Sequence, residues 1–586
     1  MQIMNANDKK KALKILELFG VIIAIIAIEI IYFGYNNWDM HVPVTYDGGD
    51  AFSSIANMKM RLNGDGDRMG WPFYEDVSKY SPKFTALSIL AACFIDLFVD
   101  DFFVAQNIFL FLIPVLNVVV SYIVFTKLKI RRLLSFIGAL IFGFSPYVQI
   151  RLFLHQDLAA VECIPIVFMF CFWLMEDEKF AAPSKAYFKH GRNIFLILFS
   201  WMIANNGIVY YPFFSCFILL VTGLSIAIQS RSIKKLIPSI VCIINIVFWL
   251  AVGFVPALYG ALSGRGDVAT NGTTRDAIRS TFYGLDIRSL LLSPKGYGIG
   301  FIKDFYEYLL EYDLEQYYAY LGIVGIVGFI VLLICLLANK GETTITENRI
   351  MMLSRINIML ILLGVSCGLG VIVALFVPFI ASYNRVSVFI LFACITAVLL
   401  LINNWLDILK DNKKKYFAVA IISAVMLLYG FYEQSGCYAY LNKEMLDNNT
   451  QQLEWDRTFF AELEQNAGEN SMVYMLPYMS SFENGSAGNV SDYEHFRGYM
   501  NTETIRWSYG GLNGGLNDRW YEATSEYEPA ELIEELKEKG FAGIYINVDG
   551  YDGDEGKILT NQILKELGTN QFVLHESGHK VFIPIN

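Results

Sequence analysis

Residues Phe84–Val99 read FTALSILAACFIDLFV. Whether this run crosses a bilayer sets the sidedness of everything after it. A spanning helix needs about 20 mostly apolar residues, because each adds about 1.5 Å to a path of about 30 Å. The run is shorter than that, holds Asp96, and stops at Asp100-Asp101. If it crossed, the basic cluster Lys127–Arg132 would lie outside the cell, against the excess of Lys and Arg on cytoplasmic loops. Phe84–Val99 is therefore read as a re-entrant or interfacial helix.

Outward from it, eleven windows have the length and apolarity of spans: 14–35, 103–126, 133–152, 158–175, 193–206, 208–228, 236–259, 319–338, 356–378, 386–405 and 416–435. With that count, six basic clusters all fall on the cytoplasmic side: Lys9–Lys11, Lys127–Arg132, Lys185–Arg192, Arg231–Lys235, Lys340–Arg349 and Lys410–Lys415. The expected fold is an α-helical polytopic membrane core over residues 1–435, with outer loops at about 36–102 and 260–318. Residues 436–586 are expected to form an extracytoplasmic α/β domain. The N-terminus is expected in the cytoplasm. The first apolar stretch is too long for a signal-peptide core and is read as a retained helix.

Composition agrees. Of 586 residues, 55% are apolar and 17% charged, where a soluble chain carries about a quarter. From Tyr438 onward there are 25 Asp and Glu against 10 Lys and Arg, so an acidic tail follows a slightly basic body. In that tail Ser471–Leu476 and Ala542–Ile546 read as strands, and Pro529–Lys539 and Lys557–Leu567 as helices. Phe572–Leu574 and Val581–Ile583 read as a hairpin. Eight of nine cysteines lie in apolar runs and only Cys437 borders the tail, so disulfides and zinc are not expected. No phosphate-binding glycine motif follows a strand, which disfavours ATP-driven transport and dinucleotide chemistry. No nucleic-acid partner is expected.

The concentrated polar chemistry lies on the expected outer face. Tyr46-Asp47-Gly48-Gly49-Asp50-Ala51-Phe52 places two carboxylates around a Gly pair. These acids suit a general base or oxygen ligands for a divalent cation, the only cofactor the sequence suggests. The plainer alternative is that Asp50 caps a helix starting at Ala51. Arg151, His155, Gln156 and Asp157 gather at the end of one span, either facing water or forming a donor cluster. Asn205-Asn206 and Tyr210-Tyr211 read as an interfacial belt or as further site groups. Asn384-Arg385 stands where a span re-enters: the Arg either snorkels or clamps a phosphate. Glu162 lies inside a span and needs a partner. In the tail, His495, His575 and His579 lack metal-ligand spacing and read as surface or hydrogen-bonding residues. Arg506-Trp507-Ser508-Tyr509-Gly510-Gly511 reads as a sugar-stacking platform or as interdomain packing.

These words, in this order, resemble bacterial membrane proteins of the GT-C glycosyltransferase superfamily, nearest the YfhO-like branch and its uncharacterised relatives. The resemblance is carried by Tyr46–Phe52, Asn107 and Ser145-Pro146-Tyr147 through His155 with Pro165. It continues through Tyr283-Gly284-Leu285 with Leu291–Pro294, Asn384-Arg385 and Arg506–Gly510. It implies outer-face transfer of a monosaccharide from a polyprenyl-phosphate carrier to a cell-envelope glycan or teichoic-acid-like acceptor. It makes Asp50 the catalytic base with Asp47 as its alternate. Arg385, Arg151, His155, Gln156, Asn384, Tyr210 and Trp507 become substrate-binding candidates. The DxD pair of metal-dependent members is absent, since two residues separate Asp47 from Asp50. The rival readings are a transporter or flippase of lipid-linked sugars, and a scaffold protein.

Overall fold

The computed structural model describes residues 6–46, 48–74, 86–263, 277–293, 319–338, 344–435, 441, 443–481, 485–511 and 514–585. Helix α1 (Ala6–Tyr32) leads in, and its Leu16, Ile23 and Ile31 are 65–80% exposed. Large side chains left bare in this way belong to a helix whose solvent is lipid. The same holds for Phe248 and Ile244 in Ile237–Gly253 and for Phe417 in Asn412–Val425. Among the described residues seven helices are long and apolar enough to cross a membrane, and an eighth if one bent pair is a single span. Gly191–Ala204 and Gly322–Ala338 are shorter apolar helices. The chain is a multi-pass membrane protein.

Ser387–Ile408 is the buried axis of the bundle. Phe392 on it meets Phe125, Phe142 and Phe168 at ring distances of 5.2, 5.0 and 5.1 Å. Gly328 lets Gly322–Ala338 lie directly on this axis, since a Cβ there would collide with the Cys394 backbone. Small residues at such crossings are how membrane helices gain dispersion contacts.

The bent pair is Arg132–Gly143 and Pro146–Leu154, turned by 42°. Pro146 lacks an N–H and pushes Ser145 into extended geometry (φ −63°, ψ 156°), so the helix breaks there and restarts. The described helix over the opening run is Ala86–Asp96, whose 11 residues rise about 16 Å, half a bilayer.

One expected boundary is corrected. The window 356–378 is a helix over Ile345–Gly364, followed by a separate short helix Leu369–Ala374. Hydropathy hid the start because Arg349 and Arg355 lie inside it. Thr344 and Glu347 form a capping box at its N-terminus. Arg349 is buried because Glu176 accepts from it at 2.6 and 2.9 Å. Beyond Gly364 the chain bridges Val365 to Leu285.

In the C-terminal region a helix, Lys443–Ala467, leads to a five-stranded sheet. Its strands are β1 (Met472–Leu476), β2 (Arg506–Trp507), β3 (Phe541–Asn547), β4 (Val573–Leu574) and β5 (Lys580–Pro584), in the order β2-β1-β3-β5-β4. β1 pairs parallel with β2 and β3, whereas β5 pairs antiparallel with β3 and β4. β3 is buried at every residue, which is why it reads as an unbroken apolar run. Pro529–Lys539 starts on its Pro and ends on Gly540 at φ +81°, the expected helix punctuation.

The first loop docks on this region. Helix α2 (Gly49–Asn63) sends Lys59 to Met500 O at 2.8 Å. Arg68 donates to Ile505 O and Thr502 O at 3.0 and 2.9 Å. Trp71 N–H donates to Trp507 O, so the loop covers the β2 edge. Beneath this seam Asp456, fully buried, accepts from Arg497 at 2.8 Å, Lys580 at 3.0 Å and His575 at 3.1 Å. Burial opposes its charge, but Lys580, His575 and Arg497 overcome this and hold its carboxyl well below the usual carboxylate range. Arg497 lies over the Tyr46 ring at 4.4 Å and donates to Tyr46 O.

Asp456→Ala leaves Arg497 and Lys580 buried without their shared carboxylate. It is expected to cost about 3–5 kcal/mol in denaturant unfolding of the purified protein. Because the folded carboxyl is depressed, this contribution is present at neutral pH and is lost only as pH falls through and below the ordinary carboxylate range.

Candidate active site

The site starts at a turn only glycine permits. Gly48 has φ +92° and Gly49 φ +71°, and a Cβ on Gly48 would collide with Ser491 Oγ. Gly49 N–H donates to Asp492 O at 2.6 Å. The cap position of α2 is Gly48, with no side-chain capping bond, so the reading of Asp50 as an N-cap is corrected. Asp50 is the second helical residue and its half-exposed carboxylate points elsewhere.

It points to His155. Asp50 Oδ2 lies 2.7 Å from His155 Nε2, and Arg151 Nη1 lies 2.9 Å from His155 Nδ1. A guanidinium only donates, so Nδ1 must be the bare acceptor and Nε2 must carry the proton. His155 is thus a neutral donor to Asp50, polarised from behind by Arg151. Burial, opposed by the Asp50 hydrogen bond, pushes the imidazole down to about 4, which agrees with the neutral form. The His155 hydrogen bond, opposed by burial and assisted by the charges of Arg385 and Arg151, holds Asp50 below its ordinary value. Asp50 is ionised at neutral pH.

The helix break at Ser145-Pro146 aims this pair, since Arg151 occupies the last turn of Pro146–Leu154 and His155 follows it. Arg151 is buried and stands near the Tyr147 ring at 5.7 Å, so it is not a water-facing span end. Arg385 is buried too, in a turn over Tyr383–Val386, with its Cζ 4.1 Å from the Tyr210 ring centre. That geometry replaces the snorkelling alternative. Among the described residues no carboxylate lies within ion-pair distance of Arg385, and its Nε has no partner. Neighbouring Asn384 is buried with an unpartnered Oδ1.

Tyr210 and Tyr211 are buried rather than arrayed as an interfacial belt, and the Tyr211 hydroxyl lies 3.2 Å from that of Tyr147. Glu162 has its partner in Asn206 Nδ2 at 2.6 Å. Gln156 is engaged with Gln106 Nε2 at 2.6 Å and does not join the Asp50 cluster. Trp507 is corrected: it is fully buried against Gly498, Phe460 and Tyr545, so it offers no face for a sugar. Asp47 lies outside the described residues. Among the described residues no group of three or more His, Cys, Asp or Glu is placed to hold a metal ion. Sequence reasoning missed Ser491 and Asp492, which clamp the Asp50 turn across more than 400 residues of chain; nothing local marks them.

A family described as a domain of unknown function (DUF6311) matches residues 86–375. No curated protein matches the sequence. The apo structure of ArnT from Cupriavidus metallidurans superposes with TM-score 0.50 at 11% identity, covering 97% of this chain and 98% of that one. The same protein bound to undecaprenyl phosphate gives 0.49 at 11% identity, covering 98% of each chain. The arabinofuranosyltransferase AftD from Mycobacteria gives 0.45 at 13% identity, covering 95% of this chain and 37% of that one. The chain has an ArnT-like fold.

Proposed function

We propose that the protein transfers a monosaccharide from a polyprenyl-phosphate carrier to an envelope glycan or teichoic-acid-like acceptor, on the outer face of the membrane. The observation that carries this reading is a buried guanidinium, Arg385, with no carboxylate in ion-pair distance among the described residues, yet close enough to an ionised Asp50 to lower its pKa. A buried cation needs an anion. A phosphate supplies one, and the planar guanidinium meets it with two hydrogen bonds. A long isoprenoid stays in the bilayer because each buried CH₂ is worth about 0.8 kcal/mol, so its head group is met at the level of the helix ends.

In the reaction an acceptor hydroxyl attacks the anomeric carbon. The bond from that carbon to the phosphate oxygen breaks, and its electron pair leaves with the polyprenyl phosphate, stabilised by Arg385. Asp50 receives the hydroxyl proton. Its depressed pKa makes it a weak base, so the proton moves late, once C–O bond formation has made the hydroxyl acidic. Neutral His155 orients the carboxylate, and Arg151 keeps His155 in the required tautomer.

This reading includes an N-terminus in the cytoplasm, a division into residues 1–435 and 436–586, and kinship with the YfhO-like branch. Asp47 with Asp50 is the place for a divalent cation if the reaction uses one. The transporter reading draws on one observation, the helix pair broken at Ser145-Pro146, because broken helices line transport sites. Here, however, the break aims Arg151 and His155 at Asp50.

Two experiments test the proposal. Reporter fusions after Lys415 and after Tyr438 are expected on opposite sides of the membrane; the same side for both contradicts the topology. With synthetic polyprenyl-phosphate sugars, Asp50→Asn is expected to lower turnover at least 100-fold while lipid binding persists. Arg385→Lys is expected to weaken lipid binding about tenfold despite keeping the charge. Movement of intact lipid-linked sugar with no transfer supports the transporter instead.

A further inference from the structure

Beside the candidate active site lies a cleft of about 470 Å³, within the range of about 300–1,000 Å³ typical of small-ligand sites. One wall is a face of the helix Lys443–Ala467. Glu444, Met445, Asn448, Asn449 and Gln452 recur at helical spacing and line the cleft together. The opposite wall joins two segments, Val44 and Thr45 of the first loop and Phe153 and Leu154 at the end of Pro146–Leu154. Thr45 Oγ1 donates to Phe153 O at 3.2 Å and ties these segments to each other. Both segments run on into the site. The first loop continues through the glycine turn to Asp50, and Leu154 is followed by His155, whose Nε2 lies 2.7 Å from Asp50 Oδ2.

Partners fix the hydrogen-bonding sense of the two inner amides. Asn449 Nδ2 donates to Pro43 O at 3.1 Å and to Val44 O at 2.7 Å. Carbonyls only accept, so both N–H groups of Asn449 are engaged and its Oδ1 is left to accept. Gln452 Oε1 accepts from Arg497 Nη2 at 3.0 Å. A guanidinium only donates, so the Gln452 oxygen faces it and the Nε2 amide is left to donate. One fixed acceptor and one fixed donor on the same helix face match hydroxyl groups, which do both. Among the described residues no Lys or Arg lines the cleft, whereas Glu444 does, so an anion is disfavoured. Across from the amides, Phe153 and Leu154 supply an apolar surface for the C–H face of a sugar ring. An acyl chain would fill the same space but cover both amides without satisfying them.

We infer that this cleft seats a neutral carbohydrate unit of the acceptor, its hydroxyls bound by Asn449 Oδ1 and Gln452 Nε2 while another hydroxyl of the acceptor reaches Asp50. This rests on the transfer reading above. Gln452 also ties the acceptor seat to the Arg497–Asp456 network that holds the first loop.

The test uses the full chain in lipid nanodiscs. Hydrogen exchange of residues 443–452 is followed with maltotriose, chitotriose or ribitol phosphate and no donor lipid. Transfer to each is then followed with a panel of synthetic polyprenyl-phosphate monosaccharides. A neutral trisaccharide is expected to slow exchange in that segment and to accept sugar about tenfold better than ribitol phosphate. Gln452→Glu keeps an oxygen for Arg497 and replaces the amide donor with an acceptor. It is expected to raise the acceptor KM about tenfold, with polyprenyl-phosphate binding within about twofold of the parent. Asn448 is exposed, so Asn448→Trp fills the cleft without disturbing either amide's partners. It is expected to raise the acceptor KM by at least as much, and it remains informative if the other variant misfolds. Exchange slowed by neither trisaccharide, or an unchanged acceptor KM in Asn448→Trp, overturns the inference. Transfer that prefers ribitol phosphate overturns it while sparing the transfer reading. Failure of the parent to bind any donor lipid overturns both.

Discussion

A carboxylate buried among three nitrogen donors holds the C-terminal region against the first loop. Asp456 sits on the helix leading out of the bundle, Arg497 beside the clamp segment, Lys580 on β5 and His575 in the hairpin turn. Taking these charges out of water is costly, and their mutual attraction offsets the cost only with all partners present. The network reaches the first loop through Arg497, which bonds Tyr46 O, and through Asn501, whose Nδ2 donates to Tyr46 Oη at 2.7 Å. Tyr46 is four residues from Asp50. The position of the candidate base therefore depends on a charge cluster in another part of the chain.

From that anchor the electrostatics of the site follow in one direction. Arg151 fixes the tautomer of His155, His155 donates to Asp50, and Asp50 stays ionised. The helix break at Pro146 lets a residue on a membrane segment meet a residue on a loop helix. Arg385 adds a second buried positive charge, and its stacking on Tyr210 satisfies the guanidinium face while leaving hydrogen-bond capacity at its edge. Where dielectric is low, fixed donors of this kind act strongly on a phosphate leaving group.

Much of the fold was legible because lipid imposes length and apolarity on each span, and helix punctuation is local. Pro529 and Gly540 bracket their helix as the residues themselves dictate. The start at Ile345 was not legible, because a hydropathy window cannot know that Glu176 neutralises Arg349. The helix Lys443–Ala467 was also missed: its apolar positions are sparse among acids, and Asp456 faces inward against the usual polarity rule. In the site, Asp50, Arg151, His155 and Arg385 could be picked out as polar groups at helix ends. Trp507 could not be told from a sugar platform, because the side chains that enclose it come from distant segments. Asp492 carried no local signal, since its meaning comes from a bond to Gly49.

The central claim is that the buried cation at Arg385 and the carboxylate at Asp50 face one lipid-borne phosphoester. A cryo-electron microscopy map of the protein with a synthetic polyprenyl phosphate tests it directly. The account predicts phosphate density within hydrogen-bonding distance of the Arg385 guanidinium, on the side facing Asp50 and His155, with the isoprenoid running into the bilayer. Phosphate density at any other cationic group, with Arg385 still unoccupied, contradicts it.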